Sequence, residues 1–453
     1  MTALLTWDGS VLCRHRRTGE VVRRPLSHSF DDAEPLDIGL PVEALHASFE
    51  NYLRADDDLS FDIAEGPLQG WHVSRSADRR SIVLTREGQY LSATNGTDTL
   101  ALAAKAGDWE GFMPISDVDF GVLFSILRTD WLIRPTGQPV AGSDVAMVPF
   151  HELNIGPMKV DLRWQMPLDL SQWPNRLTLL RDGWRIVQIC RYRPLVYFAA
   201  FGDDSIMAQC AIALRSLVDF GGYDGDIAIL TDREPSAIGD LLPGFDHARL
   251  KLVRCDAQDR SAFMAARYAI ADWAEGWNYQ PILYVDTDTV FDAPIEPMLR
   301  AIALSDRASA PVEQLSPLSS SGPVGAGLLQ LDGHDPAFRH GFNSGTIGIP
   351  NLAAHGNTLR LIARIIANRA TTKGRDALRY VDQEIANYVG YRLSCFDTTL
   401  LSPYVRIGGT APIPTDGRCG LVHFWAVPSG AQRGARMAEY VASVERAVGA
   451  IPY

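Results

Sequence analysis

From about Leu195 the chain alternates short apolar runs with longer stretches of helical periodicity, and that alternation restricts the fold more than any other feature. Leu195–Ala200 reads as a strand buried on both faces, the type found in parallel sheets. Gly202-Asp203-Asp204-Ser205 then supplies a turn and a helix cap. Ile206, Met207, Cys210, Ala211, Leu214, Leu217 and Val218 recur at helical spacing to about Phe220, where Gly221-Gly222 closes the helix. A second run, Ile227–Leu230, ends in Thr231-Asp232, and a helix expected around Ala262–Glu275 precedes a third, Ile282–Val285. Strands joined by crossover helices form a mostly parallel, Rossmann-like α/β sheet, and such sheets bind ligands beyond the carboxyl ends of their strands. Acidic residues stand at those ends.

Residues 1–190 follow a different pattern, expected to form a β-rich accessory domain before an α/β domain at 191–453. Ser81–Thr85, Gln89–Ala93, Leu100–Ala104, Val122–Ile126, Leu177–Leu180 and Trp184–Cys190 read as strands. Turn signals such as Asn95-Gly96, Thr136-Gly137 and Arg181-Asp182-Gly183 separate them. One early helix is expected over Val42–Leu53. Asn95-Gly96-Thr97 has the form of a glycosylation sequon, but Asn-Gly is more simply a hairpin turn.

Composition narrows the function. Of 453 residues, 42 are Lys or Arg and 54 are Asp or Glu, a net charge of −12 that argues against a general nucleic-acid partner. The six cysteines show no C-x-x-C spacing, so reduced thiols and a cytoplasmic location are expected. No apolar run approaches the ~20 residues of a membrane-spanning helix, which leaves only peripheral membrane contact open.

Asp-x-Asp occurs four times, at Asp56/Asp58, Asp117/Asp119, Asp224/Asp226 and Asp286/Asp288. Only the last pair directly follows a buried strand, and alternation along the extended chain puts both its carboxylates on one side of the sheet edge. The other three read as solvated acids. Two close carboxylates repel unless a cation lies between them, and hard oxygen ligands at a ligand crevice suit Mg²⁺ or Mn²⁺ holding a diphosphate.

Ile282-Leu283-Tyr284-Val285-Asp286-Thr287-Asp288-Thr289-Val290 resembles the metal-binding signature of GT-A glycosyltransferases, closest to glycosyltransferase family 8, the glycogenin and lipopolysaccharide galactosyltransferase group. Further landmarks occur in that family's order: Tyr197–Asp204, Arg267, Phe342-Asn343-Ser344-Gly345, Asp382-Gln383-Glu384 with Asn387, and His423-Phe424. The resemblance runs over about residues 195–430. It implies Mn²⁺, or Mg²⁺, held by Asp286, Asp288 and His423. It implies a donor site formed by Phe201, Asp203, Asp204, Arg267, Asp286, Ser344 and Gly345. Asn343, Asp382 and Gln383 would surround the sugar carbon under attack.

The implied activity is transfer of a hexose from a nucleotide sugar, UDP-linked, to a glycan or other hydroxyl acceptor with retained configuration, as in polysaccharide biosynthesis. The chain departs from the family at Ala426–Arg433, where a Gly-x-x-Lys-Pro-Trp stretch is missing, so the phosphate-binding lysine has no direct match. Arg433 or Arg436 is a conjectural replacement. That departure keeps a competing reading alive, an inactive glycan-binding or scaffold protein. An inverting GT-A enzyme or a nucleotidyltransferase would use the same carboxylates. In the first half, Gly88–Ala93 and Gly107–Phe112 weakly resemble the repeat of fascin-like β-trefoils.

Overall fold

The computed structural model describes residues 2–26, 30–39, 59–76, 81–94, 99–148, 152–161, 176–181, 185–241, 246–257, 259–317, 324–335, 340–373 and 382–449. The helix expected over Val42–Leu53, the Asp56/Asp58 pair, Asn95–Thr97 and Asp182–Trp184 lie outside them. The chain divides into two compact units, Met1–Arg191 and Tyr192–Tyr453.

The first unit is built mainly of antiparallel sheets. Met113–Ser116, Thr2–Leu5, Ser10–His15 and Val21–Pro25 lie side by side in that order. Ser60–Asp62, His72–Arg75, Ile82–Arg86, Gln89–Ser92 and Ala101–Ala103 form a meander. Single bridges, Val22 to Thr99 and Ile82 to Phe112, join strands of the two sheets into a ring. Leu4, Leu12, Trp71, Leu84 and Phe112 form one core. The alternate residues Leu5, Val11 and Cys13 face a second core with Trp131 and Ile189. Glu87 and Gly88 make the two-residue turn between Arg86 and Gln89 at φ of 53° and 77°, a turn that favours glycine.

Val122–Ile126, expected as a strand, belongs instead to a helix, Asp117–Ile126. Its β-branched and aromatic residues favoured a strand, but Leu123 and Ile126 are one helical turn apart and both are buried in the second core. Asp117 and Asp119 thus fall within this helix.

The second unit is α/β, and its elements are numbered within the unit. Its sheet uses β1 (Leu195–Ala199), β2 (Asp226–Thr231), β3 (Leu250–Arg254), β4 (Ile282–Val285), β5 (Ala308–Ser309), β6 (Thr346–Ile349) and β7 (Phe396–Asp397), in the order β3-β2-β1-β4-β6-β5-β7. Neighbours from β3 to β4 run parallel, β6 is antiparallel to both its neighbours, and β5 and β7 are parallel. Alternation divides the strands between two cores. Tyr197, Ala228, Leu230 and Tyr284 pack with α2 (Arg260–Ala266), α4 (Leu352–Lys373) and α5 (Asp382–Leu393). Val196, Phe198, Ile229 and Leu283 pack on the other face against α1 (Asp204–Asp219) and α3 (Glu296–Leu304). Each fully buried Val, Leu, Ile or Phe among them contributes about 1.5–3 kcal/mol.

The expected Ala262–Glu275 helix is shorter. After Ala266 the chain passes into 3₁₀ turns at Ala269–Asp272 and Ala274–Asn278. In α4, Leu359, Ile362 and Ile366 are buried, so this helix faces the core. A three-stranded sheet of Thr289–Phe291, Leu421–His423 and Val405–Ile407 packs beneath α6 (Gly430–Gly449). Among the described residues no helix is long and apolar enough to cross a membrane.

Candidate active site

Four buried residues bring β4 to the sheet edge, where Asp286 N–H donates to Gly345 O at 2.8 Å and prolongs the ladder to β6. Two residues on, the chain enters Thr289–Phe291, which pairs antiparallel with Leu421–His423 in a register that sets Thr289 opposite His423. Phe424 N–H donates to Asp288 O at 2.8 Å. Backbone pairing therefore brings His423 to Asp288 across a gap in sequence that local pattern cannot bridge.

Asp286, Asp288 and His423 each offer a ligand atom, all within 4.8 Å of one another. His423 Nε2 lies 3.0 Å from Asp288 Oδ1 and 3.6 Å from Asp286 Oδ2. The 3.0 Å approach lacks hydrogen-bond alignment, so both Asp288 Oδ1 and His423 Nε2 are buried without a hydrogen-bond partner. Buried polar atoms normally have one, and an oxygen and a nitrogen left without one at 3.0 Å from each other fit two ligands of a shared cation. Two carboxylates and an imidazole form a donor set suited to Mn²⁺ or Mg²⁺. Gly345 floors the cluster, and a Cβ there would fall 2.2 Å from His423 Cε1 and 2.7 Å from Asp286 Oδ2.

Arginines flank the carboxylates. Arg433, in the first turn of α6, places Nη1 2.8 Å from Asp288 Oδ2 and is anchored by its Nη2 on Val427 O at 3.1 Å. Arg436 points elsewhere, to Glu439 and Ala411 O. Arg267 is buried at the end of α2, with Nη1 3.0 Å from Asp382 Oδ2 and Nη2 3.4 Å from Asp286 Oδ1. It also donates to Ser344 O at 3.3 Å. The 3₁₀ turn after α2 lets Tyr268 follow it, and the Tyr268 hydroxyl donates to Asp382 Oδ2 at 3.2 Å. The Tyr284 hydroxyl donates to Asp286 Oδ1.

Burial alone would raise the Asp288 carboxyl, but the charges of His423 and Arg433 outweigh it and hold it below the usual range. Burial would depress His423, yet Asp288 and Asp286 hold its imidazole above the ordinary value. At Asp382 burial prevails over Arg267, and the carboxyl is raised.

The loop after Phe342 closes the site. Gly345 N–H donates to Asn343 Oδ1 at 2.9 Å, and Ser344 N–H donates to Gln383 Oε1 at 3.3 Å. Asn387 locks this loop to α5, accepting from Phe342 N–H and donating to Phe342 O, both at 2.8 Å, and donating to Gln383 O at 2.9 Å.

Other expected donor residues stand apart from the cluster. Asp203 caps α1, accepting from Ser205 N–H at 2.9 Å and Ile206 N–H at 3.3 Å. Asp204 is exposed and its carboxylate lies 3.3 Å from Arg233. Phe201 is buried and stacks on Phe263, ring centroids 5.4 Å apart. These three lie past the carboxyl end of β1, and none makes a described contact with Asp286, Asp288 or His423. Of the remaining Asp-x-Asp pairs, Asp226 is held by Arg193 at 3.2 Å and by the Tyr279 hydroxyl at 2.7 Å.

Tyr268, above, and Glu313 were both missed in the sequence. Glu313 is buried, accepts from Asn343 Nδ2 at 3.2 Å through Oε2, and leaves Oε1 unpartnered. Its only signal is an acid amid the apolar stretch Ala310-Pro311-Val312.

No protein-family model matches the chain, and no curated protein matches its sequence. Solved structures do. Mouse xyloside xylosyltransferase 1, in its apo form, is 14% identical over 52% of this chain and 97% of its own, with a TM-score of 0.36. The galactosyltransferase LgtC, in complex with donor and acceptor sugar analogues, is 15% identical over 54% of this chain and 95% of its own, with a TM-score of 0.37. The bifunctional WbbM apo structure is 15% identical over 56% of this chain and 51% of its own, with a TM-score of 0.38. The functional reading therefore rests on the residues of the site.

Proposed function

We propose that the chain is an enzyme, a divalent-metal-dependent, retaining glycosyltransferase of GT-A type, with residues 1–190 as accessory domain and 191–453 as catalytic domain. It moves a hexose from a nucleotide sugar, UDP-linked, to a hydroxyl of a glycan, in polysaccharide biosynthesis. The observation that carries this reading is the convergence of Asp286, Asp288 and His423, with two orphaned ligand atoms, beside Arg433 and the buried Arg267–Asp382 pair. Six cysteines without a disulfide support a cytoplasmic setting.

Asp286, Asp288 and His423 would hold Mn²⁺ or Mg²⁺, which supplies Lewis-acid stabilisation of a leaving diphosphate. Arg433, already at the cluster, is placed to contact that diphosphate in the role of the missing lysine. Gly345 and Ser344 let the donor approach the backbone. The bond from the anomeric carbon to the diphosphate oxygen breaks, and its electron pair leaves with the nucleotide. The acceptor oxygen bonds to the same carbon on the same face and passes its proton to the departing diphosphate.

Gln383, half-buried, and Asn343, both bonded to the Ser344–Gly345 backbone, would offer amide oxygen dipoles to the developing oxocarbenium charge. Asp382 is buried behind them and acts as a positioning residue through Arg267 and Tyr268.

The test is nucleotide release across a panel of UDP-sugars with Mn²⁺, together with calorimetry of UDP binding. The wild type is expected to bind UDP only when metal is present, and Asp286→Asn with Asp288→Asn to lose both binding and release. Metal-independent release, or activity surviving the double substitution, overturns the reading. The product anomer, read by proton NMR, decides between retention and inversion.

A further inference from the structure

Glu313 is 5% exposed, and among the described residues no cation pairs with its carboxylate. Its Oε1 has no hydrogen-bond partner, and its Oε2 has one, the side-chain amide of Asn343 at 3.2 Å. A buried carboxylate lowers stability unless pairing and hydrogen bonds offset its lost hydration, and here a single bond is made. An arrangement so unfavourable to folding directs attention to that bond.

Backbone pairing brings the two side chains together. Val312–Pro317 runs antiparallel to His340–Phe342 with Val312 opposite Phe342, and Asn343 N–H donates to Pro311 O at 2.9 Å. The Asn343 amide then stands in a series of bonds: its Oδ1 accepts from Gly345 N–H at 2.9 Å, and its Nδ2 donates to Glu313. The loop does not depend on Glu313 for its path. Gly345 O is held by Asp286 N–H at 2.8 Å, and Phe342 is held at both its backbone groups by Asn387. What Glu313 controls is the side chain of Asn343.

We infer that Glu313 is a positioning residue for the transfer reaction, acting through Asn343. A carboxylate only accepts, so it holds the amide nitrogen and keeps the amide oxygen turned to Gly345, on the side of the metal cluster. Its negative charge also polarises the amide, drawing the N–H toward itself and leaving Oδ1 richer in electron density. Both effects favour positive charge developing at the sugar carbon, and such a gain is realised in the transition state. The inference rests on the transferase reading, in which Asn343 serves that carbon.

The test uses the full chain with Mn²⁺ and a UDP-sugar that it hydrolyses. Glu313→Gln keeps the shape but removes the charge, and its own amide can bond to either end of Asn343. It is expected to lower kcat by about tenfold or more while donor KM and calorimetric UDP–Mn²⁺ affinity stay within about twofold, the pattern of an interaction made only in the transition state. Urea unfolding should find the variant as stable as the wild type or more so, because a neutral amide costs less to bury. Glu313→Leu, which gives Asn343 no acceptor, should lose at least as much kcat. In an Asn343→Ala background the Glu313→Gln factor should shrink to about twofold or less, since the amide it positions is gone.

Wild-type kcat in both Glu313 variants overturns the assignment alone. So does an undiminished effect beside Asn343→Ala, which would mean that Glu313 acts without Asn343. Lost UDP–Mn²⁺ binding or clearly lower urea stability in Glu313→Gln would make Glu313 a structural acid and overturns it as well. A wild type that neither binds UDP with Mn²⁺ nor releases it overturns the transferase reading, and the role of Glu313 with it.

Discussion

Gly345 shows how little freedom a single position has when three elements meet on it. Its hydrogen atom faces the His423 ring and the Asp286 carboxylate, so even a methyl group must displace one of them. Gly345→Ala is expected to weaken metal-coupled UDP binding by about tenfold or more, as loss of ligand orientation does at other metal sites. Calorimetry would show it, with the fold intact by circular dichroism; unchanged affinity would mean that the cluster holds no cation.

At this scale the sequence was partly legible. Asp286 and Asp288 stood out because a wholly apolar strand precedes them, and His423 only through its order after other motifs. Arg433 was a conjecture prompted by a missing lysine, and its contact with Asp288 comes from packing of α6. Glu313 was not legible, since one acid beside a proline looks like any loop residue until the chain folds over it.

Among the elements, the strand Leu421–His423 has an unusual support. Asp292 follows its partner strand, and its carboxylate is fully buried. It accepts from the Tyr440 hydroxyl at 2.8 Å and from Gly420 N–H at 3.0 Å, and it pairs with Arg406. One side chain thus ties α6, the approach to His423 and the third strand of that small sheet together. Asp292→Ala takes this acceptor from Arg406, the Tyr440 hydroxyl and the N–H groups of Cys419 and Gly420, and is expected to cost about 3 kcal/mol of stability in urea unfolding. A loss below roughly 0.5 kcal/mol, the usual scale of neutral surface changes, would contradict the arrangement.

Element recognition from sequence succeeded where burial was one-sided or complete, as in α1, β2 and β4. It missed β3, because Lys251 and Arg254 interrupt its apolar pattern, as charges often do on an edge strand. It overextended the helix after Arg260, because nothing local shows that Tyr268 must turn inward to reach Asp382.

For the molecule as a whole, a net charge of −12 hides how the acids of the site are matched by cations. Asp288 meets Arg433 and His423, while Asp286 and Asp382 share Arg267. The cations come from distant parts of the chain, so composition could not locate them. Burial has a second whole-molecule effect, on the thiols: Cys13 and Cys210 are pushed up to about 12 from an ordinary 9. At pH 8 their thiolate fraction falls about a thousandfold, so alkylation of the native protein should be slower by at least that factor than in urea. Mass spectrometry would read it, and rapid native labelling at either position would contradict the packing around them.

The backbone pairing of His423 with the segment after Asp288 also orders events during biosynthesis. A nascent chain that has emerged as far as residue 415 carries both carboxylates, but neither the imidazole nor Arg433. The three candidate metal ligands therefore cannot meet until His423 has been made, 135 residues after Asp288.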